Sequence, residues 1–88
     1  MIFVARGPLR RLVGFNREVQ VEAATVSQGL GAVCTRYPDL RTALFDASGC
    51  VRGVHRLALN RSILHSGELE TLVGADDVLE VVTALAGG

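Results

Sequence analysis

Val81-Val82-Thr83-Ala84-Leu85-Ala86-Gly87-Gly88 closes the sequence. A run with strand character loses its large side chains step by step and stops on two glycines. At an average glycine usage of about 7%, such a pair arises by chance in about one chain in two hundred. Termini tolerate glycine in general, so rarity alone decides nothing. The expectation is that the carboxylate of Gly88 is the reactive group and the remaining residues are a handle for it.

Just upstream, Val78-Leu79-Glu80-Val81-Val82 reads as the last strand. Glu80 sets its register: Glu80 and Val82 point out, Leu79 and Val81 point in. Gly74-Ala75-Asp76-Asp77 is the turn that launches it, and its paired carboxylates are read as turn chemistry rather than acid–base chemistry. Leu57 and Leu59 alternate with Arg56 and Ala58 in a third strand, and Asn60-Arg61-Ser62 turns tightly into a short fourth, Ile63-Leu64. After the polar loop His65-Ser66-Gly67-Glu68, Leu69 and Leu72 are expected to tuck back onto the core.

The middle of the chain is helical. Thr25-Val26-Ser27-Gln28 matches a capping box, and Val26, Leu30, Val33 and Tyr37 recur along one helix face. Gly29 and Gly31 each cost about 1 kcal/mol of helix propensity, so packing must hold this helix. Pro38 ends it, and Asp39 to Phe45 forms a further short helical turn with Leu40, Leu44 and Phe45 inward. Asp46-Ala47-Ser48-Gly49 is a turn. At the start, Ile2-Phe3-Val4-Ala5 is a strand buried on nearly both faces. Leu9 to Gly14 is a loop with apolar anchors, and Phe15 to Glu22 alternates as a half-buried second strand. The order is β-β-α-β-β-β: an α+β fold, a mixed sheet of four to five strands covered by one main helix, with the last strand beside the first. Residues 1–82 make the domain and residues 83–88 a flexible tail.

The 88 residues suffice for one modest core, which must be aliphatic because only 5% are aromatic. Nine positive and nine negative residues cancel, leaving no electrostatic footprint for nucleic acid or an anionic membrane. All nine positive residues are arginines. With no lysine, the chain cannot link copies of itself through side-chain amines. Cys34 and Cys50 are read as a buried thiol and a loop thiol, and neither forms a metal or nucleophile motif with His55 or His65. No signal peptide or apolar span is present, so a cytoplasmic protein is expected, and it is expected to be a monomer when free.

With this order and ending, the sequence resembles the ubiquitin-like β-grasp sulfur carriers, a group that includes the small subunit of molybdopterin synthase and the thiamin-pathway carrier. The resemblance covers essentially the whole chain. Leu9-Arg10-Arg11-Leu12-Val13-Gly14 is similar to the loop after strand one in the molybdopterin branch. Leu59-Asn60-Arg61-Ser62 stands where the family carries a Val-Asn-Gly-like turn, and Gly74-Ala75-Asp76-Asp77-Val78 is similar to its Asp-Gly-Asp-Glu-Val turn. Gly87-Gly88 matches the terminal diglycine.

The tail lacks the aromatic and prolines common in the molybdopterin branch. Tyr37-Pro38-Asp39-Leu40 and Val54-His55-Arg56 look more like carriers of cysteine and natural-product pathways.

The resemblance implies that the chain is a protein co-substrate rather than an enzyme. An E1-like adenylyltransferase/sulfurtransferase would use ATP to adenylate Gly88 and a sulfur donor would convert it to a thiocarboxylate. A sulfur-accepting synthase would then take the sulfur. The chain itself binds no cofactor and no metal and carries no catalytic residue.

Glycines 87 and 88 can thread a narrow tunnel, followed by Ala86, Leu85 and Ala84. Six residues from Thr83 reach at most about 20 Å. Val82 and Glu80 would face the partner, Val82 either as part of an apolar docking strip or as an ordinary surface valine. The alternatives are the small subunit of molybdopterin synthase, a ubiquitin-like protein modifier joined to target lysines, and a plain interaction domain.

Overall fold

The computed structural model describes residues 1–83, the side chain of Ser66 excepted; the expected tail residues Ala84, Leu85, Ala86, Gly87 and Gly88 lie outside the described residues. Strands β1 (Ile2–Ala5), β2 (Val19–Gln20), β3 (His55–Leu59), β4 (Ser62–Leu64) and β5 (Val78–Thr83) form one mixed sheet ordered β2-β1-β5-β3-β4. The last strand is central, as expected. It runs parallel to β1, with Ile2 opposite Val78 and Ala5 opposite Val81, and antiparallel to β3. Two-residue alternation turns Phe3, Ala5, Leu57, Leu79 and Val81 to one face, and all are buried.

That face packs against α1 (Val26–Arg36) and α2 (Pro38–Leu44) through Val26, Leu30, Val33, Leu40 and Leu44. Thr25 caps α1: its Oγ1 accepts from the Gln28 N–H at 3.1 Å. Gln28 reaches back one residue further than a capping box requires, its Oε1 accepting from the Ala24 N–H at 3.0 Å. Two more first-turn donors, the N–H groups of Val26 and Ser27, bond to the carbonyls of Thr71 and Leu69. The β4–β5 connection thus satisfies donors the helix cannot satisfy itself. Gly29 has a packing reason: a Cβ there would run into the Sδ and Cε of buried Met1. Gly31 has open space beside it and no such reason.

Several expectations need correction. The predicted loop at Leu9–Gly14 is a 3-10 helix, Gly7–Val13, that buries Leu9 and Val13. It draws in the start of the predicted second strand: Phe15 and Asn16 donate their N–H groups back to the carbonyls of Arg10 and Val13. β2 therefore keeps only Val19–Gln20, although Val19 and Val21 are both buried, as the alternation of a half-buried strand requires. The expected helical turn after Pro38 is a full second helix. Leu72 does not tuck in. It bridges Thr25 and stands 78% exposed, and Val73 packs on the core beside Leu69 instead. β5 extends through Thr83, which pairs with His55, one residue past the expected boundary of the domain.

Candidate functional site

The face of the sheet turned away from the helices carries the two expected docking residues. Glu80 and Val82 alternate with buried Leu79 and Val81, so both lie on this outer face, and Val82 is 43% exposed. Strand register adds their neighbours. Val4 on β1, Glu80 on β5, Ala58 on β3 and Ile63 on β4 form one row across four strands. In the next row Val82 pairs with Arg56, and Arg6 continues β1 alongside, its N–H bonding to the Val81 carbonyl at 3.2 Å. Ile63 is 54% exposed. Apolar Val4, Ala58, Ile63 and Val82 therefore alternate on this face with Glu80, Arg6 and Arg56.

The charges on this face are held in place. Arg6 Nε donates to the Glu80 carboxylate at 2.6 Å. Arg56 Nη1 donates to the carbonyl of Gly53 at 2.8 Å and to that of its neighbour His55. A face of apolar residues interleaved with hydrogen-bonded charges suits docking of a protein surface. Sequence reading placed Glu80 and Val82 on the outward face but did not place Arg6, Arg56 and Ile63 beside them. Alternation along β3 already turned Arg56 outward; the sheet order that sets it beside Val82 was the absent step.

Nothing among the described residues assembles a catalytic centre. Burial pushes the Cys34 thiol up, only partly offset by the Arg41 guanidinium, which is the reverse of what an activated nucleophile needs. Cys50 is free and exposed. Among the described residues no group of three His, Cys, Asp or Glu side chains could hold a metal, and no helix is long and apolar enough to cross a membrane. Asp77 takes hydrogen bonds from Asn60 Nδ2 and the Gly74 N–H, and these hold its carboxyl below the usual range. The turn reading of Asp76-Asp77 fits this geometry.

The model of the ThiS family matches residues 6–88. The chain belongs to the ThiS family. Its members are ubiquitin-like sulfur carriers, and the ThiS-family chain has their β-grasp fold. No curated protein sequence matches it.

Solved structures are similar over nearly its whole length. The crystal structure of SAMP1 from Haloferax volcanii superposes with a TM-score of 0.87 at 24% identity, covering 100% of this chain and 98% of that one. A chain of the Amycolatopsis orientalis BexX/CysO complex gives 0.85 at 25%, covering 99% and 98%. Mycobacterium tuberculosis CysO gives 0.82 at 20%, covering 96% and 98%.

Proposed function

We propose that this ThiS-family chain is a sulfur carrier whose reactive atom group is the Gly88 carboxylate. The family match over residues 6–88, which takes in the terminal diglycine, is the observation that carries this reading. The carboxylate is an anion at neutral pH and a poor acyl donor, so it must be activated. It attacks the α-phosphorus of ATP on an E1-like partner, pyrophosphate leaves, and an acyl-adenylate forms. A sulfur donor at the oxidation level of sulfide then adds to the carbonyl carbon. The bond from that carbon to the AMP oxygen breaks, AMP leaves, and a thiocarboxylate remains. Transfer to a sulfur-accepting synthase returns the carboxylate, its new oxygen coming from water.

The chain's own residues dock and deliver. Val82, with Val4, Ala58 and Ile63, provides the apolar contact, and the Arg6–Glu80 pair and Arg56 orient it. Residues 1–83 form the handle. Thr83 pairs with His55, and the five residues from Ala84 to Gly88 can span at most about 17 Å beyond it. Ala84, Leu85 and Ala86 are small or apolar, and Gly87 and Gly88 fit a narrow tunnel. The chain is thus a co-substrate of cytoplasmic enzymes. A similar chain solved within a two-protein complex supports a docked carrier. The tail's lack of aromatic and proline residues favours cysteine, thiamin-like or natural-product biosynthesis over molybdopterin synthesis.

ATP–pyrophosphate exchange tests this reading. With the E1-like enzyme of the same genome, label enters ATP when the full chain is added and not when Gly88 is deleted. Exchange that survives the deletion would overturn it.

A further inference from the structure

His55 is the one buried polar side chain among the described residues, 8% exposed. Both ring nitrogens are engaged. Nε2 lies 2.7 Å from the Ala43 carbonyl oxygen and Nδ1 lies 3.0 Å from Thr83 Oγ1. A carbonyl oxygen has no proton to give, so Nε2 carries the hydrogen and donates. In the neutral ring Nδ1 then accepts, and the Thr83 hydroxyl donates to it. The tautomer is assigned from its two partners.

Half of this arrangement is helix capping. The last four carbonyls of α2 all have partners: Arg41 from the Phe45 N–H, Thr42 from Arg52 Nε, Ala43 from His55 Nε2, and Leu44 from the Arg52 N–H. Capping explains Nε2 and leaves Nδ1 unexplained. A histidine needed only as a cap has no reason to bind the hydroxyl of Thr83. That residue is opposite His55 in the β3–β5 register and is the last described residue of β5, next to the expected tail.

We infer that His55 is a positioning residue that fixes the root of the tail, tying Thr83 through its imidazole to the end of α2. Strand ends fray unless something holds them. If Thr83 were to fray, the point from which the tail swings would retreat by about 3.4 Å. For a terminal carboxylate that must meet a fixed phosphorus atom, displacements on the order of 1 Å already cost rate. The hydroxyl of Thr83 is thus part of the delivery geometry, and the Val82 face that binds the partner is separate from it. The activity arm of the following test rests on the sulfur-carrier reading; the exchange arm does not.

The test uses the full chain with Thr83→Val, which removes the hydroxyl and keeps the shape, and Thr83→Ser, which keeps the hydroxyl. Amide hydrogen exchange at Val82–Thr83 should quicken about fivefold in Thr83→Val, the equivalent of one net hydrogen bond of ~1 kcal/mol, while amides in α1 and β1 keep their wild-type rates. Adenylation by the E1-like enzyme should lose about fivefold in kcat with KM unchanged, and Thr83→Ser should restore both measurements. Wild-type exchange and kcat in Thr83→Val would overturn the inference, as would a loss in KM alone or a Thr83→Ser variant as impaired as Thr83→Val. If wild-type chain is not adenylated at all, the carrier reading fails, and the exchange measurement still decides whether His55 holds Thr83.

Discussion

Arg6, one residue past β1, is joined to Glu80 on the neighbouring central strand β5, the Arg6 Nε donating to the Glu80 carboxylate at 2.6 Å. The pair lies on the open face of the sheet, beside exposed Val82. Arg6 is mostly in solvent, so the pair contributes less than about 1 kcal/mol to stability. Its consequence is orientation of charge among apolar residues. Glu80→Ala should shift the denaturation midpoint only slightly. Val82→Asp should fold normally and raise KM for the activating enzyme by at least about tenfold, ~1.4 kcal/mol of lost docking. Equal KM for wild type and Val82→Asp would remove this face from the interface.

The two helical glycines should respond unequally to alanine. At Gly31, with open space beside it, alanine should stabilise the fold by ~0.5–1 kcal/mol. At Gly29 the new methyl must displace the flexible end of the buried Met1 side chain, and this should cancel most or all of the propensity gain. Urea denaturation of both single variants checks this, and Gly29→Ala matching Gly31→Ala would contradict the packing argument.

Asn60 and Arg61 both have positive φ, 49° and 72°, as a two-residue hairpin turn between paired Leu59 and Ser62 requires. Asparagine adopts this conformation at little cost and arginine at a larger one. Arg61→Gly should stabilise the protein by ~0.5–1 kcal/mol in thermal or chemical unfolding. A destabilised Arg61→Gly variant would mean that the arginine side chain contributes more than its backbone costs.

Acid should weaken the fold partly through Asp77. Hydrogen bonds from Asn60 first, and then from the Gly74 N–H, keep it ionised to lower pH than in the unfolded chain. Its contribution is therefore present above the ordinary carboxylate value of about 3.9 and is lost as pH falls through the lower folded value. Asp46 behaves alike, held down chiefly by the Ser48 hydroxyl. Unfolding measured at descending pH should lose less stability below about pH 4 in an Asp46→Asn, Asp77→Asn double variant than in wild type.

Much of this structure was legible in the chain because local signals and burial agreed. The Thr25 cap, the Val26-Leu30-Val33 face and the register set by Glu80 all follow from neighbours in sequence. The misses have a common cause. Alternation of Val19 and Val21 reports which side is buried, not how many residues pair, and the preceding 3-10 helix took up Phe15 and Asn16. Leu72 and Val73 are adjacent apolar residues, and only the bridge to Thr25 decides which of them turns inward. In the site, Glu80 and Val82 could be read from one strand. The partners Arg6 and Arg56 required the sheet order, and the bond between His55 and Thr83 joins residues 28 positions apart.

The intact mass of the chain, purified after co-expression with its E1-like enzyme and a sulfur donor, tests the central claim most directly. The sulfur-carrier account predicts a gain equal to replacement of one oxygen by sulfur, located by fragmentation at Gly88 and absent when Gly88 is deleted. An unchanged mass, with the Gly88 deletion silent in the pathway, would contradict it.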